Sequence, residues 1–306
     1  MKNKIVTTAC LFLTAIIWGF AFVAQFYGAG DVGDFAMNGL RFPLGTVSLL
    51  PVMLIFERGR SSREERKKTV IASVLAGSVL FVASTLQQIG ITVSGSVGIS
   101  GFLTGLYTIF VPIACYVFFK KKTGFNVVIS AVLAVMGIFM LCIKPGVGFS
   151  FGLGELLLLI GAFFWTAHVV VVDRCGKDIR SLHFCVGQFF VCSVWSVLTM
   201  VIFEMPTVEG IRAAAVPILY AGILSVGVAY TLQVIGQKRA DPTFASIVFS
   251  TESVFSAVGG ALFGIDSISA VGYMGCILIF AGIVISQLDF TKKKICTARP
   301  DELNKI

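Results

Sequence analysis

The chain has 306 residues, 57% of them hydrophobic and only 13% charged, with a net charge of +8. Soluble proteins average about 25% charged residues, so a surface that faces water along most of the chain is excluded and lipid must take its place. The basic balance could suit nucleic acid, but the positive charges lie between apolar runs instead of in one patch, and no nucleic-acid partner is expected.

A helix needs about 20 apolar residues to cross the hydrocarbon core. In chain order such stretches fall at 5–27, 35–56, 69–91, 97–119, 125–143, 152–173, 182–203, 212–236, 243–264 and 268–290, which is ten. The separators are short, charged or rich in Gly, Ser and Pro, as in 28–34, 57–68 and 120–124. The first stretch is basic at its start but runs longer than the roughly 7–15 apolar residues of a signal peptide, without a small-x-small cleavage site. It is read as a span. The fold class expected is an all-α integral membrane protein, since each backbone amide in lipid must be paired within its own segment.

Lys and Arg favour the cytoplasmic side of a membrane. Assigning alternate connections to alternate sides puts 21 of the 24 Lys and Arg on one side, including the 57–68 loop, Lys120 to Lys122 and the tail at 292–306. Only Lys144 and Arg212 fall on the other, and Arg41 lies within a span. Both termini are therefore expected in the cytoplasm. Eight cysteines are scattered singly with no C-x-x-C pair, which gives no metal or redox site.

The two halves resemble each other. Ala83-Ser84-Thr85-Leu86-Gln87-Gln88-Ile89-Gly90 matches Ala229-Tyr230-Thr231-Leu232-Gln233-Val234-Ile235-Gly236 at six positions, and Trp18 aligns with Trp165. With five spans per unit, an odd number, the second unit must enter the membrane upside down. Units are expected at 1–147 and 148–291, followed by a basic tail at 292–306. Inverted repeats of this kind build many secondary transporters; a channel or facilitative pore is the alternative. A membrane enzyme acting on lipid would need clustered Asp, His or metal ligands, and the sequence has two histidines and no such cluster. No nucleotide-binding loop of the G-x-x-x-x-G-K-[ST] type is present either. No cofactor is expected.

Trp18-Gly19, Leu40-Arg41-Phe42, Pro112, Trp165 and Glu252, with the ten spans and the repeat, resemble the drug/metabolite transporter superfamily in its EamA-type branch. The resemblance covers about residues 5–290. It implies a metabolite carrier, often an exporter of amino acids or related solutes, in a bacterial plasma membrane, with a central cavity lined by spans 1, 3, 4, 6, 8 and 9. Where that family's second unit often keeps Gly after Trp, this chain has Thr166.

Ionisable residues inside spans are costly and usually face a cavity or a partner. Glu252 is the deepest, at mid-depth of its span, and is a candidate for solute binding or proton coupling. Trp18, Gln87, Thr104, Tyr107, Trp165, His168, Tyr230, Gln233 and Ser250 are the other candidate binding residues, offering aromatic faces and hydrogen bonds to an amphipathic organic solute. For His168 an interhelical hydrogen bond is the alternative role. Arg41 and Glu155 are a candidate charge pair, either a structural clamp or a carboxylate site. Two small-residue faces, Gly101-Thr104-Gly105-Thr108 and Ser246-Ser250-Ser253-Ala257-Gly260-Gly264, are expected to let helices approach closely.

Overall fold

The structure, a computed structural model, describes residues 2–59, 61–119, 125–141, 143–144, 148–149, 151–176, 179–240, 242–266 and 268–287. Lys120 to Lys122 and the basic tail at 292–306 lie outside the described residues. The helices are α1 (Lys2–Val32), α2 (Asp34–Phe56), α3 (Arg63–Ser94), α4 (Val97–Gly105), α5 (Tyr107–Phe119) and α6 (Phe125–Leu141) in the first half. The second half has α7 (Leu153–Cys175), α8 (Ser181–Phe203), α9 (Val208–Ala213), α10 (Ala215–Leu219), a π-helical segment (Tyr220–Ala229), α11 (Tyr230–Arg239), α12 (Pro242–Leu262) and α13 (Ala270–Gln287). Among the described residues, seven helical stretches are long and apolar enough to cross a membrane. Val128–Met140 and Ala270–Ile285 are apolar but shorter among the described residues; the expected span 125–143 gives way to β1 at Ile143, and that at 268–290 ends beyond the described residues. The ten expected crossings are thus matched by seven. The chain is also not wholly helical: β1 (Ile143–Lys144) pairs antiparallel with β2 (Gly148–Phe149), Ile143 opposite Phe149, in the connection between the halves.

Local chemistry sets the helix ends. The Ser62 hydroxyl accepts from the Glu65 amide at 3.0 Å and starts α3 in a charged stretch ahead of its apolar run. Gly95, at φ 67°, stops α3 in the left-handed conformation that suits glycine, its amide bonded to the Ile91 carbonyl. The α3 helix therefore runs longer than the apolar stretch 69–91, since polar Arg63–Lys68 continue it outside the hydrocarbon. Large apolar side chains such as Phe56, Phe118 and Phe125 point outward, each more than three-quarters exposed; in water such a surface would aggregate, whereas lipid accepts it. The protein is a multi-pass integral membrane protein.

The halves meet head to foot, and the α2–α8 pair shows it most directly. Glu57, just past the end of α2, accepts the amides of Leu182 and His183 at the start of α8, both at 3.1 Å. Glu204, just past the end of α8, accepts the amides of Phe35 and Ala36 at the start of α2, at 2.6 and 3.2 Å. Each carboxylate satisfies free amides at the positive end of the other helix. Glu204 follows Glu57 by 147 residues, and Leu182 and His183 follow Phe35 and Ala36 by the same 147. Between these ends the Thr46 and Ser193 hydroxyls, also 147 residues apart, meet at 3.1 Å. Equivalent residues that touch one another mark an internal twofold axis between antiparallel helices. The other contacts obey it: α3 packs on α7 and α8, as the π-helical segment packs on α1 and α2, while α4 meets α12 and α6 meets α13.

The α4–α12 contact realises the two small faces. The Ser253 hydroxyl donates to the Gly101 carbonyl at 2.9 Å, and a β-carbon on Gly101 would run into Ser256, one on Gly105 into Ser253. Asp266, beyond α12, caps the start of α4, accepting from the Ser96 hydroxyl at 2.7 Å and from the Val97 and Gly98 amides at 2.9 and 2.7 Å.

At the Glu57 end, the His183 Nδ1 lies 2.8 Å from the carboxylate, and Arg180 donates to the Glu57 carbonyl at 3.1 Å. Burial works to raise the Glu57 carboxyl, but hydrogen bonds from the His183 ring and from the Leu182 and His183 amides outweigh it, so it titrates below its ordinary 4.5. A depressed carboxyl stabilises the fold above its unfolded pKa, and the contribution is lost as pH falls through the folded one. Glu57→Gln should therefore cost about 0.5–2 kcal/mol at neutral pH, the range for a helix cap, with the gap to wild type closing below pH 4.5; melting curves of purified protein across pH check this, and a gap that widens with acid refutes it. Gly101→Ala should destabilise by about 1–3 kcal/mol through overpacking, whereas Gly30→Ala, where a β-carbon meets nothing within 4 Å, should be neutral or mildly stabilising in the same melts.

Candidate functional site

A cavity of about 30 Å³ is lined by residues from both halves. Trp18, Ala21, Phe22 and Gln25 come from α1, Arg41 from α2 and Gln87 from α3. Thr104 and Tyr107 flank the α4–α5 junction, Trp165 and Val169 come from α7, and Ser225, Tyr230 and Gln233 from the π-helical segment and α11. Glu252 on α12 completes the wall. Two equivalent pairs, Trp18 with Trp165 and Gln87 with Gln233, face the same space. The Tyr230 ring sits 4.7 Å from that of Trp18 and 6.3 Å from that of Trp165, forming an aromatic wall. At this volume the space admits about two waters, so an organic solute requires the bundle to open.

The backbone is irregular where it borders this space. Leu106 interrupts the helix between α4 and α5, and Pro112, lacking an N–H, removes the bond to the carbonyl four residues back. In the second half the π-helical segment widens the bonding step to five, as in the Tyr230 amide on the Ser225 carbonyl. Departures from α-geometry at membrane depth persist where they are buried in protein or line a cavity, and π-bulges are frequent at functional sites. Thr166 also has its explanation here. Its hydroxyl lies 2.8 Å from the Ala162 carbonyl and 3.4 Å from that of Tyr107. Its counterpart Gly19 has no such room, because a β-carbon there would strike Phe255.

The cavity is rich in polar atoms without a protein partner. Trp18 Nε1, Trp165 Nε1 and Thr104 Oγ1 are buried and unbonded, as are the side-chain amide oxygens, Oε1, of Gln25 and Gln233. Unmet buried polar groups are expensive in a core. Arg41, 4% exposed, gives its Nε to Asn38 Oδ1 at 2.9 Å. Glu252 is 7% exposed. Among the described residues, no group of three His, Cys, Asp or Glu gathers in a way that could hold a metal.

Of the candidate binding residues, Trp18, Gln87, Thr104, Tyr107, Trp165, Tyr230, Gln233 and Glu252 come together in this one cavity. His168 sits outside its lining, with Nε2 3.0 Å from Gln188 Oε1 and its ring edge-on to Trp165 and Tyr230. The side chain of Ser250 lies outside the described ones. Arg41 and Glu155 do not pair: the Glu155 carboxylate is held at the start of α7, where it accepts the Gly152 amide at 3.0 Å, a cap that a glutamate three residues into a helix is placed to make. Sequence reasoning missed Ala21, Phe22, Gln25, Val169 and Ser225. The first three follow Trp18 by three, four and seven residues, and Val169 follows Trp165 by four; helical spacing alone carried that signal. Ser225 precedes Tyr230 by five, which shares a face only in a π-helix.

The EamA-like transporter family matches residues 6–143 and again residues 152–288. An uncharacterized transporter of Archaeoglobus fulgidus is 24% identical over 91% of this chain and 84% of its own length. The uncharacterized transporter YoaV of Bacillus subtilis is 25% identical over 92% of this chain and 96% of its own. A solved structure, described only as the crystal structure of a protein, superposes with a TM-score of 0.69 at 20% identity, covering 92% of this chain and 98% of that one, a likeness of fold. With both halves of the chain matched separately and a shared cavity between them, the protein belongs to the EamA-like transporter family and is a membrane transporter.

Proposed function

We propose that the protein is a secondary carrier of small organic metabolites, amino acids or related amphipathic solutes, which it exports by alternating access. In this reading residues 1–147 and 148–291 are the two inverted five-span units, and both termini lie in the cytoplasm of a bacterial cell. The observation that supports it best is a small cavity lined by equivalent residues from both halves. Because the halves are equivalent, an arrangement open to one side implies a counterpart open to the other. Aromatic faces and amides suit an organic body, whereas a bare inorganic ion is held by converging oxygens. A channel would need a continuous path, and a cavity of about 30 Å³ favours the carrier.

Energy for export would come from a proton exchanged at Glu252, which is the only carboxyl among the described cavity-lining residues. Purified protein in sealed vesicles should carry a labelled member of an amino-acid panel with saturation, and preloaded unlabelled solute should accelerate uptake; single-channel currents, or no movement of any solute under any imposed gradient, defeat the carrier reading. Glu252→Gln should abolish the response of net flux to an imposed pH gradient while solute exchange continues. A variant that still follows the gradient removes the proton role from this residue.

A further inference from the structure

We infer that Arg41 is the anion anchor of the cavity: the transported solute carries a carboxylate, held end-on by the two terminal amino groups of this guanidinium. The inference rests on the carrier reading above and names the class of solute. Arg41 is almost fully buried, and an arginine stays protonated in a protein. Among the described residues it nevertheless has no carboxylate within 4 Å, and its one hydrogen bond there, through Nε to Asn38, leaves both terminal nitrogens without a hydrogen-bond partner. Asn38 is itself fixed, its amide 3.4 Å from the Ser84 carbonyl. The side of the guanidinium is thus occupied, and the free edge is the fork that matches a planar carboxylate with two parallel bonds.

The guanidinium carbon also lies 4.9 Å over the Phe42 ring, a contact that leaves the in-plane N–H edge free, and the internal symmetry explains why this charge has no carboxylate partner among the described residues. The equivalent of Arg41 in the second half is Gln188, which meets His168 at 3.0 Å. The equivalent of His168 in the first half is Ala21, whose methyl group offers no acceptor. Where one half closes a hydrogen bond between neighbouring helices, the other leaves a cation at the cavity wall. A buried unpaired charge is strongly unfavourable, so the site is built to be completed by an anion from outside the protein. The indole N–H groups of Trp18 and Trp165 and the Thr104 hydroxyl, all buried and unbonded in the same wall, add donors to that preference. Glu252 and Tyr230 lie in the same wall, and Glu252 makes no ion pair with Arg41 among the described residues. A cationic group elsewhere on the solute would therefore find Glu252 and leave the carboxylate to Arg41.

The test compares matched solutes on wild-type protein in vesicles by their inhibition of exchange of the amino acid that the panel identifies. Four forms of that one side chain are used: the amino acid, its deaminated acid, its primary amide and its decarboxylated amine. The two acids should compete, with the deaminated one revealing whether the ammonium is needed, and the amide and amine should be at least tenfold weaker. In parallel, Arg41→Gln, which copies Gln188, should raise the KM for the amino acid at least tenfold while its melting temperature stays measurable, and Arg41→Lys should recover part of the loss. Competition by amide and amine as strong as by the acids overturns the anchor even if the variants fail to fold, as does an unchanged KM in a folded Arg41→Gln. If amines or neutral solutes are carried and no carboxylate is, the carrier reading stands and the anchor falls; if nothing is carried, the carrier reading falls first.

Discussion

Two antiparallel helices that cap each other set the frame on which the rest of this protein is built. The end of α2 supplies Glu57 to the start of α8, and the end of α8 supplies Glu204 to the start of α2. A helix start carries free amides and partial positive charge, so a carboxylate there fixes both the register and the direction of its partner. Because the two contacts are related by the same 147-residue step, one rule written twice in the sequence suffices to clamp both ends. Slipping α2 along α8 by one turn would break both clamps and separate the Thr46 and Ser193 hydroxyls at the middle. The pair therefore behaves as a fixed strut across the two halves. Motion that opens the cavity is easier to place in elements with weaker backbone continuity, namely the α4–α5 junction and the π-helical segment.

Those two elements are not strict copies of each other. The first breaks at Leu106 and carries Pro112; the second stays helical but shifts to a wider bonding step from Tyr220 to Ala229. Both solutions loosen a helix beside the cavity, and both are supported by a neighbour. The Thr14 hydroxyl of α1 lies 3.2 Å from the Ala229 carbonyl at the end of the π-helical segment, and the Tyr220 hydroxyl donates to the Ile17 carbonyl at 3.0 Å. Thr166 of α7 reaches the Tyr107 carbonyl beside the α4–α5 junction. Carbonyls of both irregular elements thus stand beside threonine hydroxyls, Thr14 or Thr166, from the helix that also bears the cavity tryptophan, Trp18 or Trp165.

Much of this was legible in the sequence, and the parts that were not fail for physical reasons. Lipid-facing helices announce themselves by length and apolarity, and a duplicated segment such as Thr85-Leu86-Gln87 and Thr231-Leu232-Gln233 exposes the repeat. Trp18, Tyr107, Trp165 and Glu252 stood out because polar or aromatic groups are conspicuous in apolar runs. Gln25 was equally polar and was passed over, although it lies two helical turns from Trp18. Ser225 could not be placed, because its face depends on a π-helical step that no residue type encodes. The Arg41–Glu155 pairing failed for a different reason: opposite charges at similar depth say nothing about a local competitor, and the free amide of Gly152 is far nearer in sequence to Glu155 than any arginine.

In a protein made of two like halves, chemistry that needs a direction has to come from where the halves differ. Trp18 with Trp165 and Gln87 with Gln233 give the cavity matched walls, which would hold a solute equally well turned either way round. Arg41 opposite Gln188, and Ala21 opposite His168, break that balance on one side only. The cost falls on the first half, which keeps a buried cation, while the second half satisfies the same position with a neutral hydrogen bond. A structural arginine would gain from a partner on a neighbouring helix, and the repeat shows that a side chain at Ala21 could have supplied one. An alanine there leaves the guanidinium edge without a second partner, so under the proposed anchor the asymmetry is a demand of the solute and not of the fold.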